Sequence, residues 1–432
     1  MRNLYQMKNL KKFSFVALLL LMGLGNYAQE QAKPAVEFYG FIRVDAYTDS
    51  YKGLDLGHDI FYLLPNYEVV GDNKLEVNEC QSANLTAIAS RLGAKINGPD
   101  VLNAKLTGVM EFDFAGNLRS DPTLFRIRQA FSQLSWEKSS LLIGQTWHPF
   151  FGAPSVPTVA GLNTGAPFHT FNRSPMIRYN YKLGGLNLTF AGVYEMQYTT
   201  ATIDTYPNKR FTTNHAKRNA VLPELVFTAD FVANNKFFAG AGAEYKTIKP
   251  RMLLEGAEGA VSKATEIVAS TGFVGYLRYK TDKLNVLFKG YMGENLSHLV
   301  MPGGYGVATY DAATGKETYT NYSFYTVMFN AVYGKELQLG IFAGYGQNLG
   351  TGKALYNFDG KAKTVGSMQT VQDMMRIAPH LAYNKGKMRF VLEYEMTSAN
   401  FGTGGFNFSN GLYNTTSNAT NNRVICTMTH FF

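Results

Sequence analysis

The sequence predicts an all-β fold, a closed antiparallel transmembrane β-barrel of about sixteen strands. Three observations support this fold class. Alternating apolar and polar residues recur in segments of about ten residues, the length that a strand needs to cross a bilayer. Short polar turns and long polar stretches alternate between these segments. The composition agrees, because aromatic residues make up 14% of the chain and charged residues only 17%.

The first 28 residues have the pattern of a secretory signal peptide. Basic residues precede the apolar run FSFVALLLLMGL, and Ala28 is a small residue at the expected cleavage site. The run is too short to cross a membrane as a helix. We therefore expect residues 1–28 to be removed on export and residues 29–432 to form one outer-membrane barrel with an aqueous lumen.

The first and last predicted strands show the alternation clearly. Within VEFYGFIRVDAY at 36–47, Phe38 and Ile42 share one face, whereas Asp45 and Tyr47 share the other. Within RVICTMTHFF at 423–432, one face is apolar apart from His430. A strand in lipid must pair all of its backbone groups. We therefore expect the last strand to close the barrel against the first.

Charge and cysteine content match an exported membrane protein. The formal net charge is +9, part of which belongs to the signal peptide. This mild basic bias gives no reason to expect a nucleic-acid partner. The two cysteines, Cys80 and Cys426, are too few for a disulfide framework. The parity of Cys426 predicts a small side chain that faces lipid.

The connections between strands form two populations. Short turns are predicted near 98–100, 137–140, 183–185, 233–236, 281–283, 334–336 and 384–387. Long loops are predicted near 48–82, 115–123, 148–173, 199–219, 248–265, 297–320, 349–370 and 401–421. Short turns on one side and long loops on the other are typical of outer-membrane barrels. This count gives about sixteen strands, with both chain ends on the short-turn side.

The third long loop, 148–173, reads HPFFGAPSVPTVAGLNTGAPFHTFNR and differs from an ordinary surface loop. It is apolar, contains no acidic residue and is stiffened by four prolines, Pro149, Pro154, Pro157 and Pro167. We expect this constriction loop to fold inward and narrow the lumen. The alternative is an extracellular loop that packs on its neighbours or on another subunit.

The candidate pore-lining residues are basic or aromatic side chains on inward parities and in the third loop. They are Arg43, Arg91, Arg126, Arg128, Arg178 and Arg376 on strands, and His148, Phe150, Phe168, His169 and Arg173 in and beside the loop. Rings of arginine or lysine favour anions in pores. Arg126 and Arg128 lie two residues apart and project together, with Arg178 across the loop. Alternatively, they pair with Glu111 and Asp113 and only keep the wall hydrated.

Other polar groups carry weaker signals. The first long loop contains six acids, Asp55, Asp59, Glu68, Asp72, Glu76 and Glu79, which we interpret as a solvated acidic loop rather than a divalent-cation site. The seven histidines are scattered, with no metal-ligand spacing and no nucleophile beside them. We therefore expect no metal, no cofactor and no enzymatic activity.

The segment from Phe125 to Tyr181 contains FRIRQAFSQL, LLIGQTWHPFFG and FNRSPMIRYNY, and the chain ends at Phe432. With these segments and about sixteen predicted strands, the chain resembles the trimeric outer-membrane porins of Gram-negative bacteria, nearest the DcaP-like and phosphate-selective branches. The resemblance implies a homotrimer in outer-membrane lipid and lipopolysaccharide, with one channel per subunit narrowed by the third loop. It also implies that barrel-assembly machinery recognises the terminal phenylalanine.

The expected function is passive diffusion of small hydrophilic solutes with a weak preference for anions. One alternative is a substrate-specific channel, in which Phe150, Phe151, Phe168 and Phe171 form a sliding surface for a sugar or small organic acid. Another alternative is an adhesin or receptor barrel that does not conduct. Neither alternative requires a chemical step.

Overall fold

The computed structural model describes residues 35–432, apart from 56–59, 72–74, 119–120, 204–214 and 260. The predicted signal peptide lies outside the described residues. The strands are β1 (Ala35–Asp49), β2 (Gly53–Asp55), β3 (Tyr62–Pro65), β4 (Ser82–Thr86), β5 (Arg91–Asn97), β6 (Lys105–Leu118), β7 (Asp121–Ser135), β8 (Ser139–Trp147), β9 (Arg173–Leu183), β10 (Leu186–Val193), β11 (Glu224–Ala233), β12 (Phe237–Ile248), β13 (Leu253–Glu255), β14 (Val261–Lys263), β15 (Val268–Lys280), β16 (Leu284–Glu294), β17 (Gly303–Asp311), β18 (Lys316–Gly334), β19 (Leu337–Thr351), β20 (Thr364–Ser367), β21 (Val371–Lys385), β22 (Met388–Asn407) and β23 (Leu412–Phe431).

Helical structure within the described ranges is confined to short segments. The α-helix α1 spans His215–Ala220, and the 3₁₀ helices span Pro149–Phe151, Ala153–Ser155, Ala257–Gly259 and Leu296–Leu299. No helix among the described residues has the length and hydropathy needed to cross a membrane.

The described strands close into one antiparallel barrel of sixteen strands, which confirms the predicted fold class. In this count β4 and β5 form one interrupted strand, because both pair with β1. The short strands β2, β3, β13, β14, β17 and β20 lie in the connections. The ring closes where β1 pairs with β23, with Phe41 opposite Phe431 and Asp49 opposite Arg423. This pairing leaves neither strand with an open edge.

Alternation along each strand separates the outer face from the inner face, as predicted. On β1, Phe38 is 67% exposed on the outside, whereas Asp45 is 3% exposed on the inside. On β23, Cys426 and Met428 point outward between the buried Ile425 and Thr427. Cys426 is a free, exposed thiol, so its predicted outward position is confirmed.

The loop prediction was wrong in two places. Predicted loop 115–123 falls largely within β6 and β7, and loop 401–421 largely within β22 and β23. Predicted loop 297–320 is a connection, but it contains β17 and the start of β18. The pairing of β22 with β23 continues to Asn407 and Leu412. Both strands contain 20 residues, about twice the length that crosses a bilayer. Polar Asn- and Thr-rich sequence indicates contact with water, but it does not prevent backbone pairing beyond the membrane.

A packed core lies inside the barrel, where parts of the first and third loops meet. Leu63 and Leu64 of β3 share one buried cluster with Phe168 of the third loop. The guanidinium of Arg376, on β21, donates to the carbonyl oxygens of Leu63 at 2.5 Å and Ala166 at 3.0 Å. One inward-facing side chain therefore binds both loops. This contribution of the first loop was not predictable from its acidic residues.

Candidate functional site

The third loop leaves the barrel wall after β8 and returns at β9, and inward-facing side chains bind its backbone between these points. Arg43 on β1 donates to Ala160 O at 2.6 Å. Arg278 on β15 donates to Pro154 O at 2.8 Å. On β22, the Glu393 carboxylate accepts from the Ala160 amide at 2.8 Å. β1 and β22 both flank β23, whereas β15 lies in another part of the ring, so the loop contacts more than one side of the barrel interior.

Lys289 on β16 makes the densest set of contacts with this loop. Its buried ammonium donates to Phe150 O at 2.8 Å, Phe151 O at 3.2 Å and Ser155 Oγ at 2.7 Å. His169, also buried, places Nε2 3.4 Å from the same ammonium. Burial and the adjacent Lys289 charge lower the pKa of His169 well below its usual value. The His169 imidazole is therefore neutral at neutral pH.

Four arginines and two carboxylates lie close together beside the third loop. We call this group the arginine cluster, and it consists of Arg91, Arg126, Arg128 and Arg173 with Glu111 and Asp113. Arg128 contacts both carboxylates, Glu111 at 2.8 Å and Asp113 at 2.7 Å. Arg126 pairs with Asp113 at 2.8 Å, and Arg91 lies 3.7 Å from Glu111. The pairing that was considered as an alternative for Arg126 and Arg128 is therefore present.

Trp147, the last residue of β8, organises the basic side of this cluster. The Arg173 guanidinium lies 4.6 Å from its ring centroid, and that of Arg128 lies 5.8 Å away. Arg173 Nε donates to Gln197 at 2.8 Å, while Nη1 and Nη2 have no hydrogen-bond partner among the described residues. Trp147 was not among the sequence candidates. Its position between a strand and the Pro149 turn was the available signal.

The structure separates the predicted pore-lining residues into two groups. The first group is half-buried and faces inward, and it consists of Arg43, Arg91, Arg126 and Arg178. The second group is buried, and it consists of Arg128, His148, Phe150, Phe168, His169, Arg173 and Arg376. The buried residues pack between the loop and the wall. The predicted aromatic sliding surface is not present, because Phe150, Phe151, Phe168 and Phe171 all lie in buried clusters.

The acidic residues of the first loop contact neighbouring groups of the protein. Glu76 accepts from the backbone amides of Val69 at 2.8 Å and Asn78 at 2.7 Å. Asp55 accepts from the Phe61 amide at 3.1 Å, and Glu68 accepts from the Ser417 hydroxyl. Asp59 and Asp72 lie outside the described residues. Asp55, Glu68 and Glu76 thus have partners within the chain.

A second buried polar group lies at the long-loop end of the barrel, where no metal-ligand spacing was found in the sequence. We call it the histidine–glutamate cluster, His148, Glu224, Glu244 and His298, whose ligand atoms all lie within 4.8 Å of one another. Burial and Lys246 oppose a charge on His298, but Glu224 and Glu244 outweigh them and raise the pKa of His298 to about 9. The cluster therefore favours a positive charge at its centre.

Comparisons with known proteins give structural matches but no sequence-family match. No family model matches the chain, and neither does any curated protein. The structure is similar to the outer membrane channel DcaP of Acinetobacter baumannii, with a TM-score of 0.63 and 19% identity over 94% of this chain and 100% of that one. It is also similar to OmpT of Vibrio cholerae, with a TM-score of 0.53 and 10% identity over 94% of this chain and 100% of that one.

An anion-selective porin from Comamonas acidovorans is a further match. Its TM-score is 0.51, with 10% identity over 93% of this chain and 100% of that one. These matches extend over nearly the whole barrel, although the sequences have diverged widely. The chain therefore has the outer-membrane porin fold, in an arrangement similar to that of the DcaP channel.

Proposed function

We propose that this chain is a passive diffusion channel in the outer membrane of a Gram-negative bacterium, with a weak preference for small anions. The observation that supports this proposal is the composition of the arginine cluster. Arg91, Arg126 and Arg128 pair with the two carboxylates, which leaves an excess of positive charge, and Arg173 lies beside this group against Trp147. Basic rings favour anions in pores. The third loop adds no carboxylate to oppose them.

Solutes meet this charge at the two arginines that retain accessible surface. The side chains of Arg91 and Arg126 are 21% and 23% exposed toward the lumen. Arg128 and Arg173 are buried behind them and act through their field, which low-dielectric surroundings weaken less than water does. We therefore assign contact with solutes to Arg91 and Arg126, and shaping of the constriction to the third loop.

The proposed assembly is a homotrimer surrounded by outer-membrane lipid and lipopolysaccharide, inserted by barrel-assembly machinery. The outer face of the barrel is suited to contact with lipid, because it carries large exposed side chains such as Phe190, Phe227 and Phe273. Electrophoresis after gentle detergent extraction tests the trimer, which should appear as a heat-sensitive species of higher mass. A chain that remains monomeric without heating contradicts the trimer but leaves the channel proposal intact.

Planar-bilayer recording tests the channel and its selectivity together. In a salt gradient we expect ohmic conductance and a reversal potential that indicates modest anion preference. A reversal potential that indicates cation preference contradicts the charge argument. Liposome swelling with small sugars tests conduction separately, because a non-conducting adhesin or receptor barrel gives no swelling.

A substrate-specific channel for a small organic acid is the second candidate. Arg173 Nη1 and Nη2 lack partners among the described residues, and a guanidinium edge can bind a carboxylate through two parallel hydrogen bonds. This candidate requires the third loop to move, since Arg173 is buried. Currents that saturate with one organic acid favour it, whereas currents that rise linearly with concentration favour a general diffusion channel.

A further inference from the structure

The histidine–glutamate cluster joins four separate segments at the long-loop end of the barrel. His148 precedes the first turn of the third loop, and His298 belongs to the 3₁₀ helix Leu296–Leu299. Glu224 is the first residue of β11, and Glu244 lies on the neighbouring β12. The four side chains are 0 to 2% exposed. Two carboxylates are thus withdrawn from water together, so the cluster requires a positive charge, which a proton on His298 or a bound cation can supply.

Neither carboxylate is hydrogen-bonded to His298, although both lie close to it. His298 Nε2 lies 3.4 Å from Glu224 Oε1 and 3.6 Å from Glu244 Oε2. Three buried atoms, Glu224 Oε2, Glu244 Oε2 and His298 Nε2, have no hydrogen-bond partner among the described residues. Buried polar atoms without partners are rare and costly in folded proteins. Three of them in one buried cluster indicate a missing ligand.

His148 has the position of a residue that orients a ligand. Its Nδ1 accepts from the Phe150 amide at 3.2 Å, so the hydrogen of the neutral ring lies on Nε2. That nitrogen lies 2.8 Å from Glu224 Oε1 and donates to it. Such hydrogen bonds fix the orientation of coordinating carboxylates in metal sites. Oε2, the other oxygen of Glu224, is the one without a partner.

His298 can offer its Nε2 lone pair if Nδ1 carries the ring hydrogen. Nδ1 lies 2.7 Å from Lys246 Nζ, which also contacts Thr200 Oγ1 at 2.9 Å and Asn295 O at 2.8 Å. Coordination through Nε2 places the ring hydrogen on Nδ1, so the Lys246 ammonium then turns toward Glu195, whose Oε1 lies 3.7 Å from Nζ. The hydrogen bonding around the cluster is thus compatible with one imidazole ligand and two carboxylate ligands.

We propose that Glu224, Glu244 and His298 bind one divalent transition-metal cation, such as Zn²⁺ or Mn²⁺, with His148 orienting Glu224. Mixed imidazole and carboxylate ligands suit such ions better than Ca²⁺, which prefers a shell of oxygen atoms. The ion compensates both buried carboxylates. It also links β11 and β12 to the Leu296–Leu299 helix and, through His148, to the start of the third loop. The proposed metal site does not depend on which solutes cross the barrel or in which direction they move.

Metal analysis of the folded protein tests the site. The full-length chain in detergent is treated with a chelator, dialysed, incubated with Zn²⁺ or Mn²⁺, freed of excess ion and assayed for bound metal. We expect one equivalent per chain in the wild type and in His430→Gln, the control on the outer face. We expect loss of that equivalent in Glu244→Gln and His298→Gln. Ca²⁺ serves as the oxygen-preferring comparison ion and should be retained far less.

Heat-dependent electrophoretic mobility shows whether each variant has folded, because a closed barrel migrates differently before and after boiling. If the variants do not fold, Co²⁺ absorption of the wild type decides, since mixed nitrogen and oxygen ligation gives d–d bands that free Co²⁺ lacks. Two results overturn the proposal. The first is a folded wild type that retains no metal and gives no such bands. The second is a folded His298→Gln variant that retains the full equivalent.

Discussion

Lys289 Nζ lies 2.8 Å from Phe150 O and 2.7 Å from Ser155 Oγ, so one side chain of β16 holds both 3₁₀ turns at the start of the third loop. Loops contain backbone groups that no neighbouring strand pairs. In this barrel, inward-facing side chains provide those partners. The position of the third loop therefore depends on a small number of buried polar residues.

Replacement of Lys289 by methionine should loosen this loop. The change leaves the Phe151 carbonyl without its ammonium donor, at an expected cost of about 1–3 kcal/mol, whereas the Phe150 carbonyl keeps the Tyr291 hydroxyl at 3.3 Å. Single-channel recording should show larger current fluctuations, and urea unfolding in lipid vesicles should show reduced stability. Lys283→Met, in the exposed turn between β15 and β16, is the control and should behave like the wild type. Equal recordings from both variants contradict the assigned role of Lys289.

Changes within the arginine cluster should shift ion selectivity in opposite directions. Asp113 pairs with Arg126 and Arg128, so Asp113→Asn removes negative charge and should increase anion preference. Arg126→Gln removes the half-exposed positive charge and should decrease it. Reversal potentials in a salt gradient measure both effects. Lys385→Gln, at the exposed end of β21, should leave the reversal potential unchanged, and a shift as large as that of Arg126→Gln contradicts the assignment.

Acidification should weaken the packing of the third loop through His169. The pKa of this buried imidazole is lowered, whereas a released loop takes up a proton near the ordinary value of 6.5. Stability from His169 is therefore present above pH 6.5 and falls below it, by at most about 1.4 kcal/mol per pH unit. Channel closures counted as pH is lowered from 7 to 5 should increase in the wild type.

His169→Gln removes the titrating group and should reduce this pH dependence. His430→Gln is the matched control, because His430 lies on the outer face of β23 and does not contact the loop. It should respond to acid as the wild type does. If His169→Gln retains the full acid response, another group causes the closures.

An arginine at position 426 should destabilise the barrel from its lipid side. Cys426 points outward and lies opposite Ala46, away from either end of the β1–β23 pairing. Arginine near the bilayer midplane costs about 2–4 kcal/mol, against about 0–1 kcal/mol near an interface. Urea unfolding in vesicles should therefore show a larger loss for Cys426→Arg than for His430→Arg. Equal losses indicate that position 426 lies outside the hydrocarbon region.

Local sequence was sufficient to predict the barrel, because strand alternation has a period of two residues and repeats in every strand. Phe38 and Asp45 already indicated the two faces of β1. Short turns, such as 184–185 between β9 and β10, were also predictable from their polar and glycine residues. Parity alone separates lipid-facing from inward-facing residues, so this level of the fold needed no long-range information.

The environment on the inner face was less predictable. Arg91 on a strand and Arg173 in the third loop were both predicted to line the pore, yet Arg91 remains partly accessible and Arg173 is buried beside Trp147. The difference in exposure depends on which loops fill the lumen. The position of a residue on one face of its strand does not reveal this. His148, Glu224 and His298 are likewise separated by long stretches of chain. They meet only in the folded barrel, where β8 to β12, β15 and β16 lie side by side, so no local spacing could predict the cluster.

The pairing of Phe41 with Phe431 joins residues from nearly opposite ends of the chain. Chain synthesis and export deliver β1 first and β23 last. Until β23 arrives, β1 lacks its closing partner, and unpaired backbone groups are strongly disfavoured in lipid. Loop-closure entropy must also be overcome before this contact contributes any stabilisation. Barrel closure is therefore a late step of folding. A chain that is truncated before its final strand cannot complete this step by pairing β1 with β23.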